Sequence, residues 1–341
     1  MKTRNERLAE KLRQRQLYLL RHQVAVRAEL DRFLALLDAA IAGAILKVDP
    51  SGPARELYRR QRLDKLVKEV AGLIKDTYRD MQAYHRREMQ ELADVETAFL
   101  VQAVNDLLSA NPIAIVLPAA EALALVDAAL ISGAPMKDWW AEQSRTLRNR
   151  FAQEMRIGLI GGESDADLVR RVRGSKELNY ADGLMEVSRR MARLLVRGAG
   201  SAVVSATRKK AIGDNPDVFE GIQQISVLDG RTSHTCVSYA GKVWTVPGYK
   251  PLGHALPYNG GVPRHPNCRS TEIPVIRQEL GGSPAQDMDF DSFLDGKSDA
   301  LVDELLGKGR ADLYRSGQIT LSELVDQSGR PLTLDQLRNI R

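Results

Sequence analysis

Apolar and polar positions in the first hundred residues alternate with the period of an α-helix. Leu30, Leu34, Leu37, Ile41 and Ile45 follow one another at intervals of three or four residues. This spacing places them on one face of a helix, where they can pack against a neighbouring element.

A break at 49–53, with the sequence DPSGP, ends this segment, because proline and glycine interrupt a helix. A second apolar face follows, formed by Leu63, Leu66, Val70, Leu73, Met81 and Tyr84. Two such segments joined by a short break predict an antiparallel helical hairpin. Two interpretations of residues 1–110 stay open: a plain helical bundle, or an extended arm that docks on another subunit.

Residues 111–215 have the pattern of a central domain of shorter helices, followed by a longer one near 180–211. The least polar stretch, 113–131, is interrupted by Pro118, Glu121 and Asp127. A carboxylate at the centre of a membrane span costs roughly 2.5–3.5 kcal/mol, so this stretch predicts a buried helix. The N-terminus is charged and lacks the apolar core of a signal peptide.

The pattern changes in residues 216–280, where short β-type runs at 222–228, 241–246 and 271–276 are separated by loops rich in glycine and proline. Residues 281–341 begin with an acidic linker and end in short helices near 301–314, 320–325 and 333–340. The predicted fold class is therefore mainly α with a small α+β domain. Its parts are a long N-terminal helical hairpin or bundle, central helices, a compact loop-rich mixed domain and short C-terminal helices.

Composition adds a mild basic bias. Of 341 residues, 43% are hydrophobic and 27% charged, which is ordinary for a globular protein, and the formal net charge is +5. Basic side chains cluster near the start of the second helical segment, at Arg59, Arg60, Arg62, Lys65 and Lys68. They are candidate contacts to nucleic acid, and the alternative is a solvated helix face.

Both cysteines and two of the five histidines lie close together in the sequence, as His234-x-Cys236 and His265-x-x-Cys268. Zinc takes thiolate and imidazole ligands, and structural zinc sites draw them from two short loops. Three states fit this spacing. The cysteines can be reduced beside a hydrogen-bonded histidine, they can hold zinc together with His265 and also His234, or they can form one disulfide.

Asp229, Arg231 and Arg269 are the other notable polar groups, and either arginine can form a bidentate pair with Asp229 that ties the two loops together. No second carboxylate and no Ser–His pair stands at a catalytic spacing, so the sequence contains no clear catalytic constellation. The enzymatic alternative is a metal-dependent hydrolase or nuclease, in which Cys236, His265 and Cys268 hold zinc and leave one position open to water.

The segment 226–236 reads SVLDGRTSHTC and is followed by GKV at 241–243 and PRHPNCRS at 263–270. This succession resembles the signature of the phage-Mu F-like, or phage head-morphogenesis, family. His234 falls on a variable position of the signature, and Gly198 stands where a threonine is usual. The signature positions fall on Asp229, Arg231, Thr232, Cys236, His265, Asn267, Cys268 and Arg269.

The resemblance covers about residues 150–341 and implies a minor structural protein of a tailed-phage head, without catalytic activity. Such a protein acts in head assembly in the host cytoplasm and stays in the virion in several copies, inside the capsid near the portal vertex. The implied partners are the portal protein, capsid or scaffold proteins and phage DNA, whose ejection it can assist. Related domains also occur fused to toxins, which leaves a toxin-associated domain as an alternative.

Overall fold

A computed structural model of the chain describes residues 2–47, 55–108, 117–265, 267–285 and 289–340. The described helices are α1 (Arg4–Leu46), α2 (Arg55–Asn105), α3 (Ala119–Ala128), α4 (Met136–Ile160), α5 (Asp165–Arg173), α6 (Leu184–Asp214), α7 (His234–Tyr239), α8 (Phe290–Leu294), α9 (Asp299–Leu306), α10 (Lys308–Arg315) and α11 (Leu334–Arg338). The described strands are β1 (Leu130–Ile131), β2 (Ala134–Pro135), β3 (Phe219–Ile225), β4 (Val243–Thr245), β5 (Pro251–Leu252) and β6 (Thr271–Ile276). The predicted fold class, mainly α with a small α+β part, is confirmed.

Two compact units make up the chain, and each draws on separated stretches. The first unit comprises Met1–Leu19, Gln90–Ser132 and Gly198–Arg341. The second comprises Leu20–Met89 and Gly133–Arg197. The DPSGP break at 49–53 and the start of the apolar stretch at 113–116 lie outside the described residues.

The second unit contains the apolar face that the sequence predicts on α1. All five of its residues are buried: Leu30, Leu34, Leu37, Ile41 and Ile45. Within this unit α1 and α2 run antiparallel, because contacts join His22 to Glu88 and Phe33 to Tyr84. The predicted helical hairpin is present here.

Trp140 of α4 is the largest fully buried side chain among the described residues of the second unit. Its ring lies edge-on to those of Tyr78 and His85, with centroid distances of 6.0 and 5.7 Å. Trp140 Nε1 donates a hydrogen bond of 3.3 Å to His85 Nδ1. The histidine is fully buried, and this burial lowers its pKa to about 3.

An antiparallel sheet of four strands, in the order β5-β4-β3-β6, forms the centre of the first unit. The long middle strand β3 pairs with β4 on one side and β6 on the other, so Gly221 lies opposite both Thr245 and Val275. Apolar residues of the sheet, including Ile222 and Trp244, share one core with residues of the first turns of α1 and the end of α2.

A buried ion network fixes three helices of the first unit to the edge strand. Glu96 of α2 accepts hydrogen bonds from Arg208 of α6, at 2.9 Å from Nε and 2.6 Å from Nη2, and from Arg15 Nε of α1 at 3.1 Å. Arg208 Nη1 also donates to Thr271 Oγ1 and to the carbonyl oxygen of Glu272 in β6, both at 2.7 Å. The side chains of Glu96 and Arg208 are fully buried and that of Arg15 is nearly so, which leaves their charges little access to water.

The start of α1 also contacts the edge strand. Asn5 Oδ1 accepts a hydrogen bond of 2.9 Å from the backbone N–H of Ile276, and Asn5 Nδ2 donates one of 3.3 Å to the carbonyl oxygen of the same residue. One side-chain amide therefore satisfies both backbone groups that β6 would otherwise offer to a further strand at this point.

Helices α8 to α11 form a second apolar cluster with α7, which includes Phe290, Leu306 and Val237. The predicted short C-terminal helices are confirmed in this region. The prediction of a buried helix within 113–131 is wrong for α3, in which only Ala122 and Val126 are buried. The alanine-rich composition of α3 made it look apolar, although small side chains bury little surface.

Candidate functional site

The first signature loop follows β3 and is shaped by Asp229. Its Oδ1 accepts a hydrogen bond of 3.0 Å from the backbone N–H of Arg231, and the backbone N–H of Thr232 donates to its carbonyl oxygen at 3.1 Å. Ser233 then begins α7, since its hydroxyl accepts from the backbone N–H of Cys236 at 3.3 Å. This chain of turns sets Cys236 in the first turn of the helix, with its side chain buried.

The second signature loop turns between His265 and Cys268, where the backbone N–H of Cys268 donates to the carbonyl oxygen of His265 at 3.1 Å. Asn267 has a φ of +64°, a left-handed conformation that asparagine tolerates better than most residues. The turn brings His265 and Cys268 to the same side of the loop.

A bidentate ion pair ties the two loops together. Arg269 Nη1 donates to Asp229 Oδ2 at 2.8 Å, and Arg269 Nη2 donates to Asp229 Oδ1. The guanidinium of Arg269 lowers the pKa of Asp229 to about 2. The predicted pair of Arg269 with Asp229 is confirmed, whereas Arg231 contributes only its backbone N–H and exposes its side chain. Both partners are partly exposed, Asp229 by 41% and Arg269 by 30%, so the pair is not the buried one that a large stabilisation requires.

Serine hydroxyls form a second link between the loops. Ser226 Oγ lies 2.9 Å from Ser270 Oγ and donates to the carbonyl oxygen of Cys236 at 3.1 Å. Ser226 begins the first of the matched segments, 226–236, and Ser270 ends the last, 263–270. The ends of the signature therefore meet in space although they are 44 residues apart.

Cys236, His265 and Cys268 meet between the loops. The Sγ atom of Cys236 lies 3.2 Å from His265 Nε2 and 3.6 Å from the Sγ atom of Cys268. All three ligating atoms lie within 4.8 Å of one another, and both cysteines are buried and free. The group can therefore bind a metal ion. Within the described residues no carboxylate joins the group.

The two thiols differ in acidity. A hydrogen bond from Cys268 lowers the pKa of Cys236 to about 6, and the hydroxyls of Ser270 and Ser233 and the charge of Arg264 act in the same direction. The same thiol–thiol contact raises the pKa of Cys268, and burial adds to that increase. Cys236 is therefore the first of the two to become a thiolate.

Arg264 is a site residue that the sequence pattern did not single out. Its guanidinium lies 3.6 Å from the centroid of the Tyr239 ring, and its Nε donates to Gln224 Oε1 at 2.5 Å. It occupies a variable position of the signature, next to His265. Glu272 was also missed. It is buried in β6 and accepts hydrogen bonds from the Tyr258 hydroxyl and the backbone N–H of Val262, at 2.6 and 3.3 Å.

His234 does not join the cluster of Cys236, His265 and Cys268. It is directed towards the C-terminal helices, where burial and the charge of Arg310 lower its pKa. Gly198, which stands where a threonine is usual in the family that the sequence resembles, lies against Ile131. A Cβ at Gly198 would come within 2.5 Å of Ile131 Cγ2, so a threonine does not fit here without a shift.

The candidate nucleic-acid contacts on α2 differ in availability. Arg62 is largely buried and pairs with Asp165 at 2.9 Å, so its charge is already neutralised and it cannot serve as a phosphate contact without breaking that pair. Lys65 and Lys68 are exposed. The side chains of Arg59 and Arg60 lie outside what the structure describes.

Comparisons of the chain with protein-family models, with curated proteins and with solved structures gave no match. Among the described residues, no helix is long and apolar enough to cross a membrane.

Proposed function

We propose that this chain is a minor structural protein of a tailed-phage head, which binds the portal protein on the capsid interior and acts in head assembly. The proposal starts from the signature at 226–270 and its resemblance to the phage head-morphogenesis family. In this role the protein is assembled in the host cytoplasm and remains in the virion in several copies near the portal vertex.

One observation carries the proposal: the residues that match the signature contact one another across the two loops. Asp229 pairs with Arg269, and Cys236 meets His265 and Cys268. A chance match of letters in two segments about 30 positions apart does not require the matched side chains to meet. Their contact supports the interpretation that the signature is one structural unit, in which a zinc ion at the Cys/His cluster cross-links the loops.

The long helices supply a surface for the portal. Leu20 and Val24 lie one turn apart on α1, and their side chains are exposed by 50% and 55%. Exposed apolar side chains at this spacing suit contact with a partner, because covering them removes apolar surface from water.

Co-expression with the portal, capsid and scaffold proteins of the same phage tests the proposal. Particles assembled with the portal should contain the chain after sedimentation, and particles assembled without the portal should lack it. If the chain stays free in both preparations, and purified virions also lack it, the proposal is wrong.

A variant pair locates the contact. Changing Leu20 and Val24 together to Glu should abolish co-sedimentation, because the charges would have to be buried in the interface. Ala25→Glu, at an exposed position on the same helix, is the matched control and should still co-sediment. Both proteins must show the helical content of the parent. Equal co-sedimentation of the two would exclude this face of α1 as the portal contact.

A further inference from the structure

We infer that Cys236, His265 and Cys268 bind one zinc ion through two thiolates and the Nε2 atom of the imidazole, and that solvent takes the fourth position. This deepens the proposed function, in which the same cluster cross-links the signature loops, and it can fail separately from it. The inference stands on the positions of the three ligating atoms, on their chemistry and on the packing around them.

Two of the three distances between ligating atoms lie close to the edges of a zinc tetrahedron. Zn–S bonds of about 2.3 Å and Zn–N bonds of about 2.0–2.1 Å, at tetrahedral angles, give S···S and S···N edges of about 3.8 and 3.6 Å. The observed edges are 3.6 Å between the two sulfur atoms and 3.2 Å between Cys236 Sγ and His265 Nε2. A central ion would therefore need these two edges to lengthen by only a few tenths of an ångström. The third edge, from the His265 ring nitrogen to Cys268 Sγ, is no longer than 4.8 Å.

The type of ligand selects the metal. Two thiolates and one imidazole suit zinc, whereas calcium and magnesium require oxygen ligands. Two thiolate charges also balance the charge of a divalent ion, so binding leaves no net charge in a buried site. Within the described residues the group contains no fourth cysteine, histidine or carboxylate, which is why we assign the fourth position to solvent.

Hydrophobic packing does not account for the cluster. The two buried cysteines share their apolar cluster with Val262 alone. Free cysteines that serve only as small apolar side chains are normally surrounded by other apolar residues. Here Cys236 Sγ lies 3.2 Å from His265 Nε2, and the hydroxyl of Ser233 lies 2.7 Å from the same ring nitrogen. A metal ion gives these converging polar atoms a common partner, and it joins two loops with little apolar surface of their own.

The test is metal analysis of the full-length chain, purified without oxygen, with a reductant, and without a histidine tag or chelator. We expect about one zinc per chain. Cys236→Ser and Cys268→Ser should each lose the zinc. His234→Ala should keep it and is the matched control, because this histidine lies two residues from Cys236 but outside the cluster.

A second measurement does not depend on the folding of any variant. Replacing zinc by cobalt in the parent chain should give the absorption of a tetrahedral site with thiolate-to-metal charge transfer. Less than about 0.1 zinc per chain overturns the inference. Two titratable thiols would then identify reduced cysteines, and the loss of two hydrogens by mass would identify a disulfide. Retention of zinc by the folded Cys236→Ser variant would overturn the ligand assignment.

The test of the proposed function, co-sedimentation with the portal, can fail independently of the test of the zinc site, metal content. Co-sedimentation with the portal by a chain that contains no zinc would leave the proposed function standing and remove the zinc site. A chain that contains zinc but never joins a particle would support the zinc site and contradict the proposed function.

Discussion

Glu96→Gln removes the only negative charge from the buried network of Glu96, Arg15 and Arg208, while the shape of the side chain is retained. The carboxylate accepts three hydrogen bonds from the two guanidinium groups, at 2.6 to 3.1 Å. The relative exposure of its side chain is 0%, as is that of Arg208, and Arg15 is exposed by 9%. Solvent can therefore do little to stabilise the two cations once the carboxylate is gone.

The expected cost follows from this burial. Removing one partner of a buried ion pair destabilises a protein by about 3–5 kcal/mol, because the other partner stays buried without compensation. In the Glu96→Gln variant the new amide nitrogen would also face one of the guanidinium N–H donors. We expect the free energy of unfolding to fall by at least about 3 kcal/mol, more than a hundredfold in the folding equilibrium.

Urea denaturation followed by circular dichroism measures this change. Glu142→Gln is the matched control, because Glu142 pairs with Arg145 at the surface, where the two side chains are exposed by 48% and 66%. The control should unfold at the same urea concentration as the parent. If Glu96→Gln also unfolds there, with an unchanged dependence on urea, then the charge of Glu96 does not stabilise this part of the fold.

Three further predictions follow from single sites. Asp229→Ala should lower the free energy of unfolding by no more than about 1 kcal/mol, because its partner Arg269 is partly solvated, while limited proteolysis should cut the loop at 226–233 faster. His85 has a pKa of about 3 in the folded chain, against 6.5 for an unperturbed histidine. Below pH 6.5 the unfolded chain therefore binds a proton at His85 that the folded chain does not bind until the pH approaches 3. Stability should therefore fall by about 1.4 kcal/mol per pH unit as the pH drops through this range, and His85→Gln should remove that slope in urea titrations at pH 7 and 5. Gly261→Ala should be destabilised by roughly 1–3 kcal/mol more than Gly260→Ala in thermal melts. Both glycines have φ near +80°, but only at Gly261 would a Cβ collide with a buried tyrosine and a buried carboxylate. An equal loss of stability in the two variants would contradict the predicted collision.

Local periodicity predicted the elements well because each depends on residues near it in sequence. The apolar positions from Leu30 to Ile45 lie on one face of α1 and are buried, and the β-type runs at 222–228 and 271–276 overlap β3 and β6. The short spacings of these residue types also predict a common site for Cys236, His265 and Cys268, and the three side chains meet there. His234 shared the spacing but is directed away from the site, because the first turn of α7 carries neighbouring side chains in different directions.

Long-range polar pairs could not be predicted in this way. Glu96 and Arg208 are 112 positions apart, and each stands in a helical segment where charged side chains normally face water. Only the tertiary packing decides that they face each other. Arg264 was overlooked for a related reason: its ring contact with Tyr239 depends on how two loops fold, and a variable position in a motif carries no signal of that contact.

The contact between Asn5 and Ile276 has a consequence for how the protein is made. The two residues are 271 positions apart, so the start of α1 leaves the ribosome long before its partner strand exists. At roughly 5–20 residues per second, translation separates their appearance by about 14 to 54 s. During that time the apolar side of the helix has no sheet to cover it, and contacts this distant in sequence form slowly. The nascent chain should therefore bind chaperones until β6 has been synthesised, and it should become resistant to protease only then.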